Sequence, residues 1–139
     1  IDPVFDDASP IPFAVPRFQE PPVNLSELPS IDYVVISHDH YDPLSRKSIQ
    51  HFVGSETQFV VPLGVSSYLI GWGLNHNKIT EFDWWENHEI NGIKFIFTPV
   101  QHWSKRTFSD LNKPFSHSTL KRKLSEFSLV RPVNSILST

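Results

Sequence analysis

The apolar run from Ile31 to Ile36, cut off by Ser37-His38-Asp39-His40-Tyr41-Asp42, constrains this chain more than any other stretch. Val34, Val35 and Ile36 are consecutive β-branched residues, bounded by Pro29 on one side and the polar cluster on the other. No alternation interrupts them, which is the pattern of a strand buried on both faces. Such a strand needs neighbours in its sheet and a packed layer on each side.

The residues that follow supply those layers. Ser45 suits the N-cap of a short helix carrying Ile49, Phe52 and Val53, with Gly54 as its stop. Gln58 to Val61 reads as a second buried strand ending at Pro62, and Val65 to Ile70 as a second helix closed by Gly71 and Gly73. Strand, helix, strand, helix is the α/β rhythm. From Ile79 the pattern turns to strands: Ile79 to Phe82, His88 to Ile90, and Ile93 to Thr98. Asn91-Gly92 between the last two is a hairpin-turn signal. A loop is expected from Pro99 to about Lys113.

Residues 1–30 hold seven of the twelve prolines and read as a loop-rich entry, with a helical turn at most around Ser26 to Pro29. At the other end, Leu120, Leu124 and Phe127 have helical spacing in a Ser-rich segment. The chain starts at Ile1 with no Met anywhere in its 139 residues, and we expect a fragment.

Hydrophobic residues at 39% and charged residues at 19% suit one folded domain. A net charge of −3 gives no polycationic surface, so nucleic acid is not an expected partner. No apolar run reaches the roughly 20 residues that cross a bilayer, and no secretory leader pattern opens the sequence. The expected location is the cytoplasm, with association at a membrane surface as the alternative. Cysteine is absent, so any metal ligands are His and carboxylate.

His38, His40 and Asp42 alternate, and an extended segment would send all three to one side. Two imidazoles and a carboxylate at the end of a buried strand suit zinc, with manganese or iron as second choices. An isolated His-x-His is more often a surface turn; three potential ligands in register behind a strand reverse that preference. His102, in the loop after the Phe-rich strand, is the expected additional ligand, while His51, His76, His88 and His117 read as solvated. Zinc on His38, His40 and His102 would leave an open position where water is acidified to a pKa of about 7. Asp42 could take up a proton, orient the nucleophile or hold a second metal. Trp84 and Trp85 suit a core edge or an apolar groove, and Lys105 and Arg106 a phosphate contact or a solvated pair.

Ser37 to Asp42 resembles the H-x-H-x-D-H signature of the metallo-β-lactamase superfamily. Asp2-Pro3-Val4-Phe5, Ala8-Ser9-Pro10, Glu27-Leu28-Pro29, Val61-Pro62-Leu63-Gly64, Asp83-Trp84-Trp85-Glu86 and Thr98 to Arg106 narrow the likeness. Together with Gln101-His102-Trp103-Ser104-Lys105-Arg106-Thr107 and Asn112-Lys113, they are similar to N-acyl-phosphatidylethanolamine-hydrolysing phospholipase D and its bacterial relatives. The resemblance implies an αββα sandwich, two zinc ions and phosphodiester hydrolysis. It places His38, His40 and His102 on the first zinc and Asp42 on the second. Trp103 and Arg106 are the expected substrate contacts.

Two departures shape the expectation. Pro43 stands where the signature has its last histidine, so a second zinc would lack an imidazole. The likeness also ends near Lys113, and Asp110 falls before the expected place of a bridging acid. We therefore expect a partial domain over 1–113, roughly the first half of the sandwich, and an unrelated or frameshifted tail over 114–139. Three functions stay open: a phospholipase D-like phosphodiesterase, a sugar-phosphate lactonase of the same superfamily, and a non-catalytic remnant holding one metal or none. The first two imply a phospholipid, or a small phosphodiester or lactone, as substrate.

Overall fold

The structure is a computed structural model that describes residues 1–5, 19–100 and 124–130. Its first half is a parallel sheet of β1 (Tyr33–Val35), β2 (Gln58–Pro62) and β3 (Ile79–Phe82), in the order β1-β2-β3. The helices α1 (Arg46–Gln50) and α2 (Ser66–Gly71) are the crossovers between successive strands. Val35 lies opposite Val60, and Val61 opposite Glu81, so all three strands end on one edge.

Side-chain alternation splits the core into two layers. Val34, Ile36, Phe59 and Val61 pack with Leu44, Ile49, Phe52 and Leu69 on the helical side. Val35, Val60 and Phe82 pack with Phe95 and Phe97 on the other. The sheet is thus buried on both faces, as its unbroken β-branched runs require. Every one of these side chains is at most 5% exposed. At about 25 cal/mol per Å² of apolar surface, each full burial contributes roughly 1.5–3 kcal/mol before entropy is counted.

Phe95 and Phe97 come from a second, antiparallel sheet of β4 (Asn87–Ile90), β5 (Ile93–Val100) and β6 (Leu124–Val130), ordered β4-β5-β6. Asn91 and Gly92 join β4 to β5 with φ of 49° and 75°. Those angles are the left-handed pair that a two-residue hairpin turn demands, and Asn-Gly meets them with little strain. The layers therefore run helices, parallel sheet, antiparallel sheet. This is a mixed helix-and-strand arrangement of three layers. Among the described residues no helix covers the outer face of β5, where Lys94 is exposed and Ile96 and Thr98 are half-buried. None is long and apolar enough to cross a membrane.

Two expectations fail. The spacing of Leu124 and Phe127 predicts a helix, yet both lie in β6, which pairs antiparallel with β5 from Lys94↔Val130 to Val100↔Leu124. An eight-residue β5 presents a whole edge of backbone donors and acceptors, and a non-local ladder of that length overrides local spacing. For the same reason Pro99 and Val100, expected in a loop, belong to β5. Leu120 lies outside the described residues.

Candidate metal centre

β1 stops at Val35, and one further bond, from Ile36 N–H to Val60 O at 3.0 Å, holds the chain against β2 before it leaves the sheet. Ser37 follows at 8% exposure, then His38, Asp39 and His40, all half-buried. A turn closes with Leu44 N–H donating to His40 O at 3.1 Å. Pro43 and Leu44 anchor that turn in the core, each almost fully buried. Ser45 then caps α1, its hydroxyl accepting from Ser48 N–H at 3.3 Å. The polar segment is clamped between a strand end and a helix start, at the carboxyl edge of a parallel sheet where ligand sites gather.

The clamp brings His38, His40 and Asp42 together, with one ligand atom from each within 4.8 Å of the others. His38 Nε2 faces His40 Nδ1 at 3.0 Å, and the rings meet edge to face with centroids 4.7 Å apart. Alternation accounts for the two imidazoles. It does not account for Asp42, which reaches the cluster through the turn.

The donor set fits zinc. Two nitrogens held 2.0–2.1 Å from one tetrahedral ion lie about 3.3 Å apart, so the observed pair is only a few tenths of an ångström too close. A carboxylate beside them supplies charge, and half-burial lowers the competition from solvent. A tetrahedral ion held by these three residues alone would keep one position for water or substrate.

Two residues to which the sequence alone assigned no role hold the cluster. Asp2 bonds back to β1 through its N–H to Val35 O at 2.8 Å. Its carboxylate forks onto Ser37, with Oδ1 accepting from the backbone N–H and Oδ2 facing Oγ, each at 2.7 Å. Ser37 Oγ in turn lies 2.7 Å from His38 Nδ1. No local signal marks this link, because a contact across 35 positions leaves no pattern in the sequence.

His102, Trp103 and Arg106, expected as a ligand and as substrate contacts, lie outside the described residues, as do Lys105, Asp110 and His117. His51, His76 and His88 are exposed, matching their solvated reading, although His88 also sets its ring edge to face on Phe82 at 4.9 Å. The twin tryptophans divide. Trp84 packs against the core between the sheets, whereas Trp85 is 68% exposed with φ of 67°.

Comparison with known proteins adds to this geometry. A family model described as the beta-lactamase superfamily domain matches residues 1–122. An uncharacterized protein of Mycobacterium tuberculosis is 40% identical over 111 residues, covering 78% of this chain and 30% of its own length. N-acyl-phosphatidylethanolamine-hydrolyzing phospholipase D 1 of Caenorhabditis elegans is 38% identical over 122 residues, covering 80% of this chain and 34% of its own. The chain therefore spans about a third of the length of these curated relatives. Among solved structures, isothiocyanate hydrolase from Delia radicum gut bacteria superposes with a TM-score of 0.64 at 19% identity. That superposition covers 94% of this chain and 50% of the hydrolase, and it speaks for the fold.

Proposed function

The chain belongs to the beta-lactamase superfamily domain family, and from that premise we propose that His38, His40 and Asp42 are the first metal-binding motif of a zinc-dependent hydrolase. The observation that carries this reading is the convergence of two imidazoles and a carboxylate within 4.8 Å at the carboxyl edge of the parallel sheet. In our reading His38 and His40 hold the ion, and His102 joins them from beyond β5. When bound, zinc would supply Lewis acidity and a nucleophile at neutral pH. Asp42 holds or moves a proton at its carboxylate, or holds a second ion.

The substrate class we propose is the phosphodiester of an N-acyl phospholipid, with Trp103 and Arg106 toward the lipid and the phosphate. The support is the likeness to the worm phospholipase D at 38% identity together with the strings around Trp84 and His102. A phospholipid substrate brings the site to a membrane surface. The test is a panel of N-acyl-phosphatidylethanolamine and a sugar-phosphate lactone, each with the zinc-loaded protein and with Asp42→Asn. Release of N-acylethanolamine by the first protein and not the second is expected. Hydrolysis of the lactone alone would move the assignment to the lactonases.

A specific observation favours a second reading, a remnant holding one metal or none. Pro43 stands where the signature has an imidazole, and it is buried in the core, where it has no ligand to offer. Zinc close to two ions per chain argues against the remnant; phospholipid hydrolysis excludes it.

A further inference from the structure

We propose that Asp2 is a positioning residue that fixes, through Ser37, which nitrogen of His38 carries the proton. This inference rests on the metal-binding reading of His38 for its consequence, though not for its test.

The chain of contacts is short. Asp2 Oδ2, Ser37 Oγ and His38 Nδ1 are spaced at 2.7 Å and 2.7 Å, and His38 Nε2 meets His40 Nδ1 at 3.0 Å. A carboxylate accepts and does not donate, while a serine hydroxyl has one proton to give. The hydroxyl proton therefore goes to Asp2 Oδ2. Ser37 Oγ then has only lone pairs left for His38, so the Nδ1 atom must bring the hydrogen to that contact. A neutral imidazole protonated on Nδ1 keeps its lone pair on Nε2, the atom aimed at His40 and at the cluster. Without the carboxylate the hydroxyl could turn its proton toward Nδ1, leaving Nε2 protonated and unable to ligate.

Asp2 is itself held firmly. Its N–H bonds to the end of β1, Oδ1 takes the Ser37 N–H at 2.7 Å, and its φ is 47°. A non-glycine residue in the left-handed region costs roughly 1–2 kcal/mol, so the surrounding bonds must hold it there. An outer partner that orients a ligating imidazole is worth about 10–100-fold in metal affinity.

Asp2→Asn is the informative substitution because it preserves shape and reverses the hydrogen-bond direction. The oxygen of the substituted side chain can still accept from Ser37 N–H, but its amide nitrogen donates to Ser37 Oγ. The hydroxyl then donates to His38 Nδ1, and the ring proton moves to Nε2. The experiment records ring ¹⁵N–¹H long-range correlations of His38 in the metal-free protein at a pH where the ring is neutral. It also measures zinc affinity by competition with a chromophoric chelator.

Wild type and Ser37→Thr are expected to show the proton on Nδ1, and Asp2→Asn to show it on Nε2 with zinc affinity about 10–100-fold lower. A wild-type His38 protonated on Nε2 overturns the proposal, even if Asp2→Asn does not fold. So does an Asp2→Asn protein that retains Nδ1–H. If the wild type binds no zinc, the metal reading fails, while the tautomer measurement still decides the role of Asp2.

Discussion

Helix α2 starts without a cap of its own, since Val65 precedes it and has no side chain that can accept a bond. The carboxylate of Glu81, on neighbouring β3, takes that role. Its Oε1 accepts from Gly64 N–H and from Ser66 N–H, each at 2.8 Å. Glu81 is half-buried and sits opposite Val61 in the ladder, so the bonds tie the β2–α2 connection to the sheet edge. Hydrogen bonds to a charged group contribute about 1.5–3 kcal/mol net each, and an orphaned buried donor costs a further part of that. Gly64 is exposed and can return to water, so Glu81→Ala should cost about 2 kcal/mol in total, nearer one bond than two. With a urea dependence of roughly 2 kcal/mol per M, the unfolding midpoint should fall by about 1 M at unchanged slope. Glu81→Gln keeps a neutral acceptor oxygen and should recover about half the loss. A Glu81→Ala midpoint within about 0.3 M of wild type would refute the reasoning, as would a Gln variant no better than Ala.

The remaining expectations differ in kind. Phe82→Ala empties a fully buried position between the two sheets and should cost about 3–5 kcal/mol by urea unfolding, whereas Trp85→Ala, at a 68% exposed site, should change stability by about 0.5 kcal/mol or less. Glu27 is held below its ordinary value of 4.5 first by the backbone N–H of Asn24 and then by that residue's side-chain amide. A depressed carboxylate contributes its stability above 4.5 and loses it as pH falls through the folded value. An NMR titration of the Glu27 carboxyl should therefore show a midpoint below 4.5 that moves only partly back in Asn24→Ala. Tyr33→Phe removes the 2.6 Å bond from Asn91 Nδ2 to the tyrosine oxygen, which links β1 to the hairpin turn; the exposed setting limits the cost to about 0.5–1 kcal/mol in the same unfolding assay.

Most of the parallel half was legible because its signals are local. Val34 to Ile36 declares burial on both faces and Ser45 caps α1; in the antiparallel half, Asn91-Gly92 needs a turn with two positive φ angles. The helical expectation for Leu124 and Phe127 failed because a spacing of three residues does not distinguish a short helix from a strand once β5 offers its edge. Phe52 reaches the core from the turn after α1 rather than from the helix, which ends at Gln50. At the site, the ligand types were visible and their support was not. Asp42 arrives through a turn fixed by buried Pro43 and Leu44, and Asp2 arrives from 35 positions away. Both depend on tertiary packing that no local pattern encodes.

His38, His40 and Asp42 are proposed to form a metal centre. Equilibrium dialysis against zinc, with metal counted by mass spectrometry, tests it directly on the wild type and on His38→Ala/His40→Ala. At least one zinc per wild-type chain is expected, and loss of that ion in the double variant, with far-ultraviolet circular dichroism unchanged. A wild-type chain that takes up no zinc, or a folded double variant that takes up as much, would contradict it.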